Sequence, residues 1–284
     1  MIPAAFEYAA PESVADAIAA LSSDSDEIKV MAGGQSLIPV LRLRLAAPTL
    51  IIDIGRITEL HGVTDDGDAI VIGALTTHDD VAHDPLIGEH ASLLARAAET
   101  IGDPQVRHRG TFGGALAHAD PAGDMPAAAL ALDAEMHLQG PDGARVVPAS
   151  EFFTDLFTTA LGDDELLTGI RVPKHTGWGS CYEKFTRVAQ QWSIVGVAAT
   201  VRSGGGTIAE AKVALTNMGS TAIRATSVEQ ALVGQPATED AVREAAQQAA
   251  AGTDPPTDTN GDASYRRHLS AVLTRRAVLA AAGA

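Results

Sequence analysis

The chain has 284 residues, 46% of them hydrophobic, which is enough for two compact domains with substantial cores. Its formal net charge of −16, from 36 acidic and 20 basic residues, excludes nucleic-acid binding through a general basic surface. The single cysteine, Cys181, excludes a disulfide within the chain and a cysteine-ligated iron–sulfur cluster carried by it. The N-terminus has neither a basic segment nor a long apolar run, so we expect a cytoplasmic protein without membrane insertion.

The first part of the chain is predicted to mix helices and strands. Residues 102–124, rich in Gly, Pro, His and Asp, are predicted to form a loop. Apolar periodicity and turn residues predict helices at 11–22, 37–45, 78–84, 85–101 and 125–134, strands at 28–32, 49–55 and 166–173, and hairpins at 62–74 and 135–152.

The composition changes near residues 174–179, which predicts a domain boundary there. Three strands beyond it are predicted to form an antiparallel sheet, with a turn at Gly204–Gly206. The predicted strands are 181–188, 193–202 and 208–219, and the predicted helices after them are 226–234, 238–251 and 262–281.

Two Gly-Gly turns of similar form stand out, AGGQSL at 32–37 and TFGGAL at 111–116. A glycine pair lets the backbone approach a ligand closely, and a strand, turn and helix start together aim several N–H groups at one point. Either motif alone is equally compatible with an ordinary tight turn, which needs the same backbone freedom. The motifs therefore carry information mainly as a pair.

Neither motif contains the Gly-x-Gly-x-x-Gly pattern of a dinucleotide fold or the Gly-Lys-Ser/Thr of a P-loop. Two separate glycine loops are instead suited to hold a pyrophosphate from both sides, with the hydroxyls of Ser36 and Thr111 as further donors. Asp124 is predicted either to accept hydrogen bonds from ribityl or ribose hydroxyls or to cap the helix that follows it; both roles can coexist.

Four segments closely resemble the FAD-binding medium subunit of molybdenum hydroxylases, the carbon monoxide dehydrogenase and xanthine dehydrogenase superfamily. These segments are residues 29–57, 101–136, 182–201 and 263–278. The resemblance implies an α+β protein with a vanillyl-alcohol-oxidase-type (PCMH-type) FAD-binding domain of two α/β subdomains. It also implies a C-terminal domain with a three-stranded antiparallel sheet and helices. The implied limits are 1–175, with subdomains of about 1–57 and 58–175, and 176–284.

The resemblance also implies which residues contact the cofactor. From the residues alone, Trp192 would be a core aromatic and Lys184 a solvated strand charge. Gln35 stands where many relatives have His, and Ala115 where many have Asn. The implied FAD contacts are Lys29, Val30, Met31, Ala32, Gly33, Gly34, Gln35, Ser36, Leu37, Ile101, Thr111, Gly113, Gly114, Ala115, Asp124, Leu166, Leu167, Lys184 and Trp192.

The chain is expected to have no acid–base pair, nucleophile or metal site of its own, because flavin chemistry belongs to the cofactor. The resemblance implies an electron-transfer subunit in a dimer of heterotrimers. A small partner would carry [2Fe–2S] clusters and a large partner the molybdenum–pterin centre. A stand-alone FAD oxidoreductase and a flavin-free scaffold are the alternatives. The substrate (carbon monoxide, an aldehyde, a purine or other N-heterocycle, or an acyl-CoA thioester) and the final electron acceptor stay open.

Overall fold

The computed structural model of the protein describes residues 2–23 and 27–283, so the predicted domain limits at residues 1 and 284 lie outside the described residues. The chain builds a small parallel sheet, then a larger antiparallel sheet, then a second antiparallel sheet. Within the described residues, no helix combines the length and the apolar character needed to cross a bilayer.

A parallel three-stranded sheet and two helices form the first unit, with strand order β1-β3-β2. Its first helix begins later than expected, at Val14, because the Ser13 hydroxyl accepts a hydrogen bond from the Asp16 N–H and caps it there. The second ends at Arg42, before the predicted 45. The elements are β1 (Glu7–Ala9), α1 (Val14–Leu21), β2 (Ile28–Met31), α2 (Leu37–Arg42) and β3 (Leu50–Asp53).

The second unit is a five-stranded antiparallel sheet, order β4-β5-β10-β6-β7, with helices packed on it and a short two-stranded hairpin, β8-β9, beside it. Its elements are β4 (Val63–Asp66), β5 (Ala69–Gly73), α3 (His78–His83), α4 (Pro85–His90), α5 (Ser92–Glu99), α6 (Pro104–Arg107), α7 (Phe112–His118), α8 (Asp124–Ala131), β6 (Glu135–Gly140), β7 (Gly143–Pro148), α9 (Ala149–Phe152), β8 (Phe153–Asp155), β9 (Thr158–Thr159) and β10 (Leu166–Pro173).

Two predictions in this unit are wrong. The single helix expected at 85–101 is interrupted at Ala91, whose φ of −144° and ψ of 43° leave the helical region, so α4 and α5 are separate. The expected loop at 102–124 contains α6, capped by Asp103, and α7, capped by Thr111. Both helices are short and carry residues of poor helix propensity, so side-chain caps and tertiary contacts define them rather than periodicity.

The C-terminal unit is an antiparallel sheet of order β11-β12-β13-β14 covered by three helices. Three strands are long, as expected, and a fourth of two residues is added at the edge. The elements are β11 (Gly179–Phe185), β12 (Val195–Gly204), β13 (Thr207–Thr216), β14 (Ile223–Arg224), α10 (Thr226–Leu232), α11 (Glu239–Ala246) and α12 (Ala263–Ala282).

The C-terminal sheet is buried on both faces, which joins it to the preceding unit. On one face Val197 and Val213 pack with α10, α11 and α12 in one core cluster. On the other face Tyr182, Ala198 and Ala214 belong to the core cluster of the second unit, together with α5 and α8. Because residues alternate between faces along a strand, each strand serves both cores.

His78, the first residue of α3, gives a pH-dependent stability. Its side chain is buried, Nδ1 has no partner among the described residues, and burial, with the Arg107 charge, lowers its pKa from 6.5 to about 4. The unfolded chain therefore binds the proton more readily, so stability is intact above pH 6.5 and declines as the pH falls towards 4.

We expect about 3 kcal/mol of unfolding free energy to be lost over this range through His78, from the size of the pKa shift. Urea unfolding at pH 7 and at pH 4 measures it. His78→Leu removes the titration, so its unfolding free energy should fall less between the two pH values than that of the natural chain. An identical fall in both proteins would contradict this assignment.

Candidate functional site

The fold brings the two Gly-Gly turns into direct contact. A Cβ atom on Gly33 would lie 2.0 Å from the carbonyl oxygen of Arg109 and 2.8 Å from the Cα of Gly110, just before the second turn. A Cβ atom on Gly114 would lie 3.6 Å from the Cβ of Ala32. Gly33 is therefore required by packing, since real Cβ atoms do not approach a backbone oxygen so closely.

The first loop leaves its hydrogen-bond donors free. Within residues 2–23 and 27–283, the backbone N–H groups of Gly33, Gly34 and Gln35 have no hydrogen-bond partner in the protein. Gly34 has φ +74°, which favours glycine. Ser36 occupies the N-cap position of α2, but its side chain makes no capping hydrogen bond. The loop thus offers several N–H groups and a hydroxyl to an anion at the start of a helix.

The second loop differs, because the N–H groups that begin α7 are already used. They donate from Phe112 to Thr76 O (2.9 Å), from Gly113 to Ala74 O (2.9 Å), from Gly114 to Thr111 Oγ1 (3.2 Å) and from Ala115 to Thr111 O (3.0 Å). The idea that backbone N–H groups of both loops clamp a pyrophosphate therefore needs correction. The second loop can offer the Thr111 hydroxyl hydrogen and the side-chain-free surface of Gly114.

The apolar residues that were expected to contact the cofactor pack in the hydrophobic cores next to the two glycine loops. Leu166 and Leu167 on β10 are both buried. Leu166 belongs to the core cluster against which Val30 and Ala32 pack. Leu167 belongs to the other core cluster, against which Ile101 and Ala115 pack. The strand β10 thus anchors the cores beneath both halves of the site, although its residues lie far from either loop in sequence.

Asp124, the first residue of α8, is the centre of a buried polar network. Its Oδ1 accepts hydrogen bonds from the Tyr182 hydroxyl at 2.7 Å and from the Ser193 hydroxyl at 2.8 Å. Its Oδ2 pairs with Lys184 Nζ at 2.6 Å. All three donors come from the C-terminal unit, so one carboxylate joins α8 to β11 and to the segment before β12.

Two of the residues bound to Asp124, Lys184 and Tyr182, each have one further hydrogen-bond partner. Lys184 Nζ also donates to the carbonyl oxygen of Thr100, the residue before Ile101. Burial and the neighbouring Asp124 carboxylate raise the pKa of the Tyr182 hydroxyl well above its usual value. Tyr182 is therefore a protonated donor to Asp124 and accepts from the Thr216 hydroxyl, 3.1 Å away.

This geometry shows that three interpretations based on the residues alone are wrong. Asp124 does not cap α8, because Gly123 is the N-cap and no side-chain capping bond forms. The Lys184 side chain is 11% exposed and paired with Asp124, so it is not a solvated strand charge. Trp192 is 55% exposed, so it is not a core aromatic. It directly precedes the buried Ser193, which places it on the surface beside the network.

Three residues of this network, Tyr182, Ser193 and Thr216, were not predicted from the sequence. Tyr182 could have been predicted from Lys184, which was already an expected site residue. Side chains two positions apart on a strand point to the same face of the sheet, so Tyr182 lies on the same face as Lys184. Gly196 was also missed: a Cβ there would lie 2.7 Å from the Tyr182 hydroxyl and 2.9 Å from the Thr216 Cβ. The contacts of Ser193 and Thr216 depend on strand register, which no local pattern shows.

The remaining expected residues lie around the first loop. Lys29 on β2 and Gln35 in the loop are exposed, and Leu37 opens α2. The Met31 sulfur would lie 3.7 Å from a Cβ on Gly34, so it lines the same turn. The residues present therefore fit a diphosphate ligand, because free N–H groups and side-chain-free glycine surfaces occur together at one place.

Comparison with known families agrees with this geometry. Residues 4–175 match the family described as the FAD binding domain in molybdopterin dehydrogenase, and residues 180–281 match the CO dehydrogenase flavoprotein C-terminal domain. The chain belongs to this family of FAD-binding medium chains. The resemblance stated from the sequence, the fold it implied and the FAD-binding domain are thereby confirmed.

Individual relatives cover the whole chain. It is 42% identical to the carbon monoxide dehydrogenase medium chain of Hydrogenophaga pseudoflava, over 99% of this chain and 98% of that one. It is 38% identical to the glyceraldehyde dehydrogenase medium chain of Sulfolobus acidocaldarius, over 98% of each. A solved H. pseudoflava carbon monoxide dehydrogenase, lacking the Mo-pyranopterin moiety of its cofactor, matches with a TM-score of 0.97 and 44% identity, covering 100% of this chain and 99% of that one. The chain is thus a subunit of an oxidoreductase.

The close approach at Gly33 predicts that Gly33→Ala weakens FAD binding at least about tenfold. The new methyl group pushes the loops apart and misplaces the free N–H groups, and one charge-assisted hydrogen bond contributes about 1.5–3 kcal/mol. Gly88→Ala is the matched control, since it lies in α4 with open space around its Cβ position. Flavin fluorescence titration of both apoproteins measures the effect. Equal affinity of Gly33→Ala and the natural chain would refute the packing argument.

The Asp124 network predicts a large stability loss when the carboxylate is removed. Asp124→Ala leaves the Lys184 charge buried without its partner, which costs about 3–5 kcal/mol. Adding Lys184→Met to this variant should restore part of the loss, because the unpaired charge is then gone as well. Urea unfolding of the three proteins measures the coupling. A loss below about 1 kcal/mol for Asp124→Ala would mean that the pair is as weak as an exposed one.

Proposed function

We propose that this chain is the FAD-binding electron-transfer subunit of a heterotrimeric molybdenum hydroxylase. Electrons would reach it from [2Fe–2S] clusters on a small partner subunit and leave to an external acceptor. The molybdenum–pterin centre and the substrate site would lie on a large partner subunit, in a cytoplasmic dimer of heterotrimers. We place the domain boundary at residues 175 and 176, with subdomains of about 1–57 and 58–175.

The observation that carries the proposal is the free first loop lying against the second. Its N–H groups and the Ser36 hydroxyl are unused by the described part of the protein, and the loops touch at Gly33 and Gly114. In a chain of net charge −16, an anion is best held by backbone dipoles at a helix start. We therefore assign the FAD pyrophosphate to this loop, with the Thr111 hydroxyl donating from the second.

The buried network would serve the rest of the cofactor. FAD, when bound, supplies the capacity to accept electrons and to pass them on. An ammonium group has three N–H donors, and Lys184 uses one on Asp124 and one on Thr100. We assign the third donor and the exposed Trp192 to the flavin side of the site. Asp124 holds Lys184 in place, and Tyr182 and Ser193 hold Asp124.

Partner subunits follow from what this chain lacks. Its single cysteine cannot ligate an iron–sulfur cluster by itself, so a cluster that passes electrons to this chain would lie on another chain. The relatives it matches over nearly their full length are named medium chains, one of a carbon monoxide dehydrogenase and one of a glyceraldehyde dehydrogenase. Since similar medium chains serve enzymes named for different substrates, we infer that substrate choice lies outside this chain.

Purification of the tagged chain from its own host tests the proposal. We expect two further subunits to accompany it, with FAD, molybdenum and iron in fixed ratios to the chain. Flavin is measured by absorbance after denaturation and the metals by mass spectrometry. A flavin-bearing chain that turns over substrate alone would support the stand-alone oxidoreductase. A chain without flavin would refute both, and would leave the flavin-free scaffold.

A further inference from the structure

The connection between β11 and β12 carries Trp192 on the surface of the protein. We call residues 186–192 the Trp192 loop. The loop leaves β11 shortly after Lys184 and returns to the sheet at Ser193, and both of these residues bind Asp124. The position of Trp192 beside the buried network therefore depends on what holds this loop.

The returning end of the loop is held at two successive carbonyl groups. Asn217, directly after β13, donates from Nδ2 to the carbonyl oxygen of Ser193 at 2.8 Å. Arg266, in the first turn of α12, donates from Nη1 to the carbonyl oxygen of Ile194. Side chains from two different elements thus fix the backbone at the point where Trp192 leaves the sheet.

The same arginine also holds a turn that lies beside the loop. Its Nη2 pairs with Asp258 Oδ1 at 2.8 Å. The Asp258 N–H donates to the carbonyl oxygen of Gly261 at 3.1 Å, and Asp258 Oδ1 also accepts from the Asn260 N–H at 2.8 Å. We call residues 258–261 the Asp258 turn. One carboxylate oxygen therefore joins this turn to Arg266.

The Asp258 turn in turn contacts the Trp192 loop. The carbonyl oxygen of Thr259 accepts from Arg187 Nη1 at 3.3 Å, and the side chain of Asn260 accepts from Gln191 Nε2 at 3.2 Å. Within the loop, Gln191 Oε1 accepts from the Arg187 N–H at 3.2 Å. Arg266 thus acts on the loop by two routes, directly at its end and through the turn beside it.

A guanidinium group is a costly choice for this position. The side chain of Arg266 is 0% exposed, whereas that of its partner Asp258 is 43% exposed, and Arg266 Nε has no hydrogen-bond partner in the described part of the chain. An apolar side chain of similar volume is often as stable as a buried ion pair, or more so. It cannot, however, hold a carbonyl oxygen and a carboxylate at fixed angles, as a planar guanidinium does. The position therefore favours a role in geometry over one in stability.

We infer that Arg266 is a positioning residue of the flavin site, an inference that rests on the proposed function. Through Ile194 and the Asp258 turn it holds the Trp192 loop, so that Trp192 meets the flavin in one arrangement. Arg266 is itself buried and does not touch the cofactor. Binding sites need their contacts held to within about 0.5 Å, which requires supporting hydrogen bonds of this kind. Without Arg266 the loop would still connect the strands, but Trp192 would occupy more positions.

Flavin emission from the full chain reconstituted with FAD tests this inference. An excited flavin is quenched by electron transfer from a tryptophan in contact with it, so the emission of bound FAD reports where Trp192 lies. Trp178 precedes β11 at the end away from the loop, about 20 Å along an extended strand, and does not interfere. We expect weak emission from FAD bound to the natural chain and strong emission with Trp192→Leu. Saturating FAD makes the comparison independent of affinity.

Arg266→Met separates positioning from stability. It should raise the emission of bound FAD towards that of Trp192→Leu and weaken FAD binding about three- to tenfold, the size of one aromatic contact. It should unfold near the temperature of the natural chain, because the buried charge is removed. A purely structural residue would give the reverse, a lower unfolding temperature with unchanged emission at saturation. Arg267→Met, the same change at a half-exposed neighbour on α12, is the matched control and should behave as the natural chain does.

Gln191→Ala reaches the loop without touching the buried charge, so it tests the inference even if Arg266→Met fails to fold. The variant loses the bonds to Asn260 and to the Arg187 N–H. It should raise the emission of bound FAD, though less than Arg266→Met does, because the contact at Ile194 remains. Natural emission from Gln191→Ala together with an unfolded Arg266→Met would overturn the positioning role.

The outcomes distinguish this inference from the proposed function. If the natural chain binds no FAD, the proposed function fails and the inference fails with it. If FAD binds and Trp192→Leu leaves its emission unchanged, Trp192 does not contact the flavin, and the inference alone is overturned. If Trp192→Leu raises the emission and a folded Arg266→Met does not, Arg266 has no positioning role and the proposed function stands.

Discussion

The Asp124 carboxylate is the group on which the arrangement of this chain depends most. A buried charge is tolerated only when it is paired and hydrogen-bonded, and here each donor comes from the C-terminal unit. The interior can therefore accommodate the carboxylate at the start of α8 only if β11 and the segment before β12 are correctly placed. The same hydrogen bonds therefore hold the C-terminal unit against the second unit.

A second constraint is the approach of the two glycine loops. Gly33 faces the backbone at Arg109 so closely that no side chain fits between them. This contact brings unpaired N–H groups of the first loop beside a second loop whose N–H groups are already satisfied. One loop therefore supplies donors, and the other supplies shape and a hydroxyl. If the FAD pyrophosphate lies here, as we propose, this division would let an acidic chain hold it with few positive side chains.

Much of the secondary structure could be predicted because its signals are local. The hairpin around Gly67 and the turn at Gly204–Gly206 formed as expected, since glycines that adopt positive φ define both turns. The interruption at Ala91 and the short helices α6 and α7 could not be predicted. Ala91 is a good helix former that nevertheless lies outside the helical region, and α7 contains two glycines and begins at a threonine cap.

By itself, the sequence determined the family, the FAD-binding domain and the pair of glycine turns, because each of these depends on residues adjacent in the chain. Only the tertiary structure decided which donors are free, because Phe112 to Ala115 donate to residues that no local pattern identifies. It also decided that Asp124 binds Tyr182 and Ser193, more than fifty positions away. Hydrogen bonds of this kind follow from strand register and helix packing, which are properties of the whole fold.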